Sequence, residues 1–331
     1  MRIGILGGTG NISRSFAPLL LAMGHEVACI NRGQLVAPDD LPKGVKHLQA
    51  DRADMPAFEA AMQAQKFEAV IDMICFKPEQ AQSSIRAFGG KHLKQFVHCS
   101  TVCTYGVDYD IMPVTEDHPL RPISDYGRNK VAADNVFLEA HAKEDFPVTI
   151  IKPSTTYGDK MGALRQVAWE FSWIDRVRKG LPIVVCGDGN ALHQFLHVDD
   201  AALAFTGVLG KEVCLGKTYN MMRTEAMTWR DYHETAMRVL GKEVELVGVP
   251  YADLSQMEIP AFEICTTIFS HHCFYSPASL IKDVPEFAPK ISLENGLSRV
   301  IEAMDKTNRV PDASSNTWED TVIERQRRVR A

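Results

Sequence analysis

Tyr126 and Lys130 stand four residues apart at the head of a stretch in which Val131, Val136 and Leu138 recur at helical spacing. That spacing puts both on one face of a predicted helix. A phenol that titrates near ~10 is a poor base at neutral pH, but an ammonium one turn away favours the phenolate. The two residues could then pass a proton to or from a bound molecule. Such a pair is common on helix surfaces, so its meaning depends on what the rest of the chain builds around it.

The first thirteen residues, MRIGILGGTGNIS, supply the context. Arg2 to Leu6 has the short apolar character of a buried parallel strand, and Ile12, Phe16, Leu19, Leu20 and Met23 follow at helical spacing. Gly7 and Gly10 occupy the turn between them. Lacking a Cβ, they let backbone amides and a helix N-terminus approach a pyrophosphate, so the stretch reads as a dinucleotide-binding turn with Ser13 where a third glycine would close the pattern. A cationic nicotinamide held there would favour the Tyr126 phenolate further. Glu26 to Ile30 forms a second strand ending at Asn31-Arg32-Gly33. An acid at that point suits the ribose of NAD, whereas an arginine suits a 2′-phosphate, so uncharged Asn31 and cationic Arg32 favour NADP over NAD.

The elements that would position these residues follow in alternation. Val45 to Ala50 is a third strand, ending at Asp51-Arg52, where Asp51 could accept from an adenine amine. Residues 55–64 read as a helix, Ala69 to Ile74 as a strand, Pro78 to Phe88 as a helix and Gln95 to Ser100 as a fifth strand. The pattern implies an α/β fold, a doubly wound parallel (Rossmann) sheet whose ligands bind beyond the carboxyl ends of the strands, where the hydroxyls of Ser100 and Thr101 face them. The expected division is a dinucleotide-binding domain over 1–160 with 191–222 returning to it. A smaller C-terminal α/β substrate domain takes 161–190 and 223–300, and 301–331 forms a polar segment and a C-terminal helix. Within the smaller domain we expect a helix over Met161 to Lys179, strands at Leu181 to Val185 and Val244 to Val249, and a helix starting at Thr228.

Composition narrows the partners. With 331 residues, 45% hydrophobic, and a net charge of −6, the chain can bury a sizeable core and is not built for nucleic acid as its main partner. No window approaches ~18 uninterrupted apolar residues and the N-terminus has no signal-peptide design, so no membrane association and a cytoplasmic location are expected. The eight scattered cysteines read as reduced core thiols. Cys265 with His271, His272 and Cys273 lacks the tight ligand spacing of a zinc site, and no metal is expected.

Taken together, GGTGNI at the start, STVCTYG at 100–106, YGRNK at 126–130, KPSTTYG at 152–158 and GDGNALHQFLHVDD at 187–200 resemble an extended short-chain dehydrogenase/reductase of the NAD-dependent epimerase/dehydratase family. The resemblance runs from residue 1 to about 220. It implies a catalytic set of Thr101, Tyr126 and Lys130: Tyr126 exchanges a proton with a substrate hydroxyl, Thr101 holds the substrate oxygen, and Lys130 binds the nicotinamide ribose and tunes the tyrosine. Cofactor contacts are expected from Gly7, Thr9, Gly10, Asn11, Ile12, Asn31, Arg32, Asp51, Arg52, Ile74, Ser100, Tyr126, Lys130 and Pro153. Thr101, Thr155 and His193 are expected to meet the substrate, a sugar or nucleotide sugar, in an enzyme that works as a homodimer.

Departures from the family pattern shape the expected reaction. Members that grip a sugar nucleotide commonly have Asn where this chain has Thr155 and Arg where it has His193, which alters two phosphate contacts. A packed core histidine is the alternative for His193. Family dehydratases carry a carboxylate pair directly after the catalytic Thr, and this chain has Val102 and Cys103. We therefore expect epimerisation, oxidation or reduction of a hydroxyl without dehydration, unless Asp108, Glu116 or His193 serves as the acid. The opening GGTG and the Asn31-Arg32-Gly33 turn also resemble chloroplast stem-loop RNA-binding proteins, a non-catalytic alternative.

Overall fold

The computed structural model describes residues 1–34 and 41–330. In chain order the first part of the protein runs β1 (Arg2–Leu6), α1 (Ser13–Ala22), β2 (Glu26–Asn31), β3 (Lys46–Gln49), α2 (Met55–Gln63), β4 (Ala69–Asp72), α3 (Pro78–Phe88), β5 (Gln95–Cys99), α4 (Asp125–Glu144) and β6 (Val148–Pro153). It continues with β7 (Thr155–Tyr157), α5 (Trp173–Lys179), β8 (Ile183–Cys186), β9 (Leu192–His193), β10 (Phe195–His197), α6 (Val198–Gly207), β11 (Thr218–Met221), β12 (Met227–Thr228), α7 (Trp229–Leu240) and β13 (Leu246–Val249). The last helices are α8 (Tyr251–Leu254), α9 (Ala278–Asp283), α10 (Leu293–Lys306) and α11 (Trp318–Arg330).

The chain divides into two compact units, the first of residues 1–156, 198–222 and 275–289, the second of 157–197, 223–274 and 290–331. Residues 191–197, expected with the first, cluster with the second. Residues 275–289, expected with the second, cluster with the first.

The first unit is a seven-stranded sheet in the order β11-β6-β5-β4-β1-β2-β3, with every neighbouring pair parallel. β1, β4 and β5 are buried at nearly every position, as central strands covered on both faces must be. One core gathers Leu6, Ile30, Phe58, Val70, Phe88, Phe96, Phe137 and Phe146, drawing α2, α3 and α4 onto the sheet. Helices α1 and α6 meet through Phe16 and Phe205, 5.3 Å between ring centroids. At the β11 edge, Asp283 of α9 accepts from Lys217 Nζ and Tyr219 OH, each at 2.7 Å.

In the second unit β8 pairs with β13 and β9 with β12. Thr228 and Asp231 form a reciprocal cap at the start of α7, so that helix begins where the sequence places it. The expected helix over Met161 to Lys179 forms only from Trp173. Gly162 has φ +97°, outside the helical region, and residues 162–168 are buried on all sides except for a half-exposed neighbour on each flank. A continuously buried run carries no periodicity to separate helix from extended chain. Within it Arg165 meets Glu319 of α11 in a two-pronged pair at 2.7 and 2.9 Å, and Arg176 lies 3.4 Å from the same carboxylate.

No helix among the described residues is long and apolar enough to cross a membrane. No group of three or more His, Cys, Asp or Glu among them is placed to hold a metal ion. All eight cysteines are free thiols and only Cys103 is not fully buried.

Candidate active site

The glycine turn is built tightly. Gly7 takes φ +78°, and its amide donates to Ile30 O at 3.0 Å, pinning the turn to β2. A Cβ at Gly7 would stand 2.5 Å from Ile74 Cγ2, and one at Gly8 would stand 2.5 Å from Cys29 Sγ. Gly10 N donates to Gly7 O at 3.1 Å, and α1 starts three residues later. Ser13, in the place of the third glycine, is fully buried, and its hydroxyl donates to the same Gly7 carbonyl at 2.7 Å. Thr9 and Asn11 are half-buried in the turn, and Ile12 is buried at the helix entry.

At the end of β2, Asn31 Oδ1 accepts from Gly33 N at 2.8 Å and lies 2.9 Å from His47 Nε2, while Arg32 is exposed. Asp51 is exposed and its carboxylate accepts from Ala53 N. Arg52, expected at the cofactor, is turned inward instead. Its guanidinium donates to Asp72 Oδ1 at 2.8 Å, Ser84 Oγ at 2.6 Å and Gln80 O at 3.1 Å, so its side chain is committed to the interior. Two buried charges satisfy each other there, at the cost of desolvating both.

The structure brings Thr101, Tyr126 and Lys130 together at the carboxyl ends of β4 and β5. Thr101 follows β5 in extended conformation and caps a short 3₁₀ turn over Val102–Thr104, its Oγ1 accepting from Cys103 N at 3.2 Å. Ser124 caps α4 by accepting from Gly127 N, which sets Tyr126 in the first helical turn with its hydroxyl within hydrogen-bonding reach of Thr101. Gly127 is needed for this approach, because a Cβ there would stand 2.6 Å from Cys103 O. Lys130, one turn on, is buried, and its Nζ donates to Cys75 O and Cys99 O at 2.7 Å each. Two of its three protons are thus used, and one remains for a further acceptor.

Tyr126 is 45% exposed, and the half-exposed ring of Phe76 lies 6.5 Å from its own, with Lys130 Nζ 4.9 Å from the Phe76 ring and 5.9 Å from the Tyr126 ring. Desolvation and the neighbouring thiols of Cys99 and Cys103 push the phenol above its ordinary value, against the hydrogen bond from Thr101. The lowering expected from Lys130 alone is therefore outweighed, and the protein's own groups keep Tyr126 protonated.

Two other expected contacts are placed differently. Ser100 is buried and donates to Asp134 Oδ2 at 2.8 Å, so its hydroxyl faces a carboxylate beneath the site. His193 is fully buried against Phe195, Trp229 and Phe269, and burial takes its imidazole down to about 3. It is the packed core histidine of the alternative reading. Of the substitute acids, Glu116 is held by Asn220 N at 2.8 Å and Ser279 Oγ at 3.1 Å, and burial raises the Cys103 thiol. Ile74, Pro153 and Thr155 are half-buried, Ile74 directly against the glycine turn.

Phe76 and Asp134 carry structure around the site that the sequence reading missed. Asp134 was open to discovery, because it continues the Tyr126, Lys130 spacing by one more turn. It collects Ser100, His98 Nε2 at 3.2 Å and Lys152 Nζ at 3.5 Å.

The sequence profile of the NAD dependent epimerase/dehydratase family matches residues 3–221. The chain is 28% identical over 250 residues to the 2'-dehydrokanamycin reductase of Streptomyces kanamyceticus, covering 76% of this chain and 70% of that one. It is 25% identical over 309 residues to chloroplast stem-loop binding protein of 41 kDa b of Arabidopsis thaliana, covering 90% and 77%. Among solved structures, the UDP-glucose 4-epimerase of Thermotoga maritima with UDP-glucose superposes with a TM-score of 0.73 at 19% identity, covering 93% of this chain and all of that one, a likeness of fold.

Proposed function

The chain belongs to the NAD dependent epimerase/dehydratase family, and from that premise we propose that it is an NAD(P)-dependent enzyme acting on a hydroxyl, or the matching ketone, of a sugar or nucleotide sugar. The observation that carries this reading is the convergence of the Thr101 and Tyr126 hydroxyls with Lys130 beyond the carboxyl ends of β4 and β5. The nicotinamide, when bound, supplies or accepts the hydride. The cradle around Gly7, into which no side chain fits, and the remaining proton of Lys130 suit a pyrophosphate and a ribose hydroxyl. Arg32, exposed at the end of β2 where no acid stands, supports NADP.

In the reductive direction Tyr126, kept protonated, donates to the carbonyl oxygen while Thr101 holds that oxygen in place. In the oxidative direction the phenol must give up its proton first, which requires a cation nearby, and the oxidised nicotinamide is one. The Streptomyces relative is a reductase by name, and the protonated phenol fits that direction. Of the groups weighed as the acid for loss of water, Val102 has no proton, the Cys103 thiol is raised, Glu116 is committed and His193 is packed away, which leaves exposed Asp108.

Screening sugar nucleotides and free sugars for change in nicotinamide absorbance tests the proposal, with Tyr126→Phe as the control. The RNA-binding reading, prompted by the chloroplast relative, gains little from a chain of net charge −6. Salt-dependent RNA retention with no turnover on any sugar would reverse the choice.

A further inference from the structure

Asp134 lies one helical turn beyond Lys130 and two beyond Tyr126, on the same face of α4. Its carboxylate gathers His98 from β5, Ser100 directly after it and Lys152 from β6, and all four side chains are buried. Lys152 Nζ also stands 4.7 Å from the Tyr105 ring, whose hydroxyl donates to Asn220. Burying such a cluster costs several kcal/mol that apolar side chains would not. No step of the proposed chemistry uses it. What it does supply is a three-point attachment of the catalytic helix to two strands, and a fixed charge below the site.

The 3₁₀ turn presents Thr101 and Cys103, β5 presents Cys99, the segment after β4 presents Phe76, and α4 contributes Lys130 and Asp134 together with exposed Asp125 and Arg128, which pair with each other at 2.6 Å. Burial holds the thiols of Cys99 and Cys103 up and the His98 imidazole down, so all three are neutral at physiological pH. Although burial pushes the Asp134 carboxyl up, His98, Lys152 and Ser100 together hold it below the ordinary value, and it stays ionised. Burial pulls Lys152 down against Asp134 and Glu116.

We propose that Asp134 is a positioning residue: paired with Lys152, it fixes the catalytic helix against β5 and β6 and sets the charge balance under the Tyr126 phenol. The inference rests on the reading of Tyr126 as the proton-transfer group. Asp134 raises the energy of the phenolate, and Lys152 offsets it. Removing either charge therefore moves the ionisation of Tyr126 in opposite directions. Eight residues of helix separate the two groups by about 12 Å, a range at which one uncompensated charge in protein shifts a titration by about half to one pH unit.

The test is a titration that needs no substrate. A fluorinated tyrosine, more acidic than tyrosine, is placed at position 126 and its ionisation followed by fluorine NMR. Asp134→Asn should move the midpoint to lower pH and Lys152→Met to higher pH, each by about half to one unit, with Lys152→Arg restoring the original. Ser100→Ala, which removes a hydrogen bond and no charge, should leave the midpoint in place. Circular dichroism shows which variants fold, and if Asp134→Asn does not, the Lys152→Met and Lys152→Arg pair decides alone. Midpoints that stay fixed, or move the same way in both charge variants, overturn the proposal. Failure of the underlying reading is separate: it appears as wild-type turnover in Tyr126→Phe, whatever the titration shows.

Discussion

Ser13 donates its hydroxyl to the carbonyl of Gly7 at 2.7 Å, tying the first residue of α1 to the first glycine of the turn. A glycine at position 13 could not do this. Ser13→Ala and Ser13→Gly should each cost about 1 kcal/mol of stability, the net worth of one buried hydrogen bond. Gly7→Ala should cost more, about 2 kcal/mol or above, because it combines a side chain at φ +78° with a 2.5 Å approach to Ile74 Cγ2. Thermal unfolding reads the first effect. Calorimetry with NAD and NADP should show weaker binding for Gly7→Ala than for either Ser13 variant, and equal affinities would remove the turn from the cofactor site.

Replacing Tyr126 by Phe keeps the ring beside Phe76 and removes the proton. Turnover should fall by about 10²- to 10⁴-fold with cofactor affinity little changed, whereas Lys130→Met should harm both. The sign of the pH dependence follows from the raised phenol. Reduction, which needs the proton, should hold steady through neutral pH and fall only as alkali removes it. Oxidation should rise over the same interval. A reductive rate that climbs with pH through the neutral range would contradict the donor role of Tyr126.

Arg32 provides the test of cofactor choice. If it meets a 2′-phosphate, Arg32→Ala should weaken NADP by about 1.5–3 kcal/mol and leave NAD nearly untouched. Equal losses for the two cofactors, or tighter NAD binding in the unaltered protein, would remove the preference.

The product should weigh what the substrate weighs, or differ from it by two hydrogens. Mass spectrometry after incubation with an accepted sugar decides this directly. A product lighter by one water would mean that an acid has been found outside Cys103, Glu116 and His193.

Single residues show how much of the fold and the site was legible in the sequence. The alternation of strands and helices was legible because β1, β2, β4 and β5 are short, largely apolar runs closed by Gly, Asn, Asp or Ser, and the glycine turn was legible because only one backbone shape fits it. Charged and polar side chains were legible as residues but not as partners. Arg52 and Ser100 read as ligand contacts until Asp72 and Asp134 are seen across the sheet, 20 and 34 positions away. His193 falls in the same class, its aromatic neighbours gathered from Phe195, Trp229 and Phe269. Helix α10 was missed although its signals are present: Ser292 caps it, and Leu297, Val300, Ile301 and Met304 recur on one buried face. The return of residues 275–289 to the first unit has no local signal, since it depends on Tyr275 bridging Val114 and Asp283 receiving Lys217 and Tyr219.

That return has a consequence in time. The parallel sheet gains its last strand, β11, at residue 221, yet the helix that lies along this edge spans residues 278–283. While the ribosome is still making residues 223–274, the nascent sheet stands with its outermost strand open and with Lys217 and Tyr219 lacking their carboxylate. An open strand edge is a template for pairing with a second chain. A fragment cut where the family motifs stop would lack α9 and the Asp283 carboxylate at that edge, and it should self-associate more readily than the full chain.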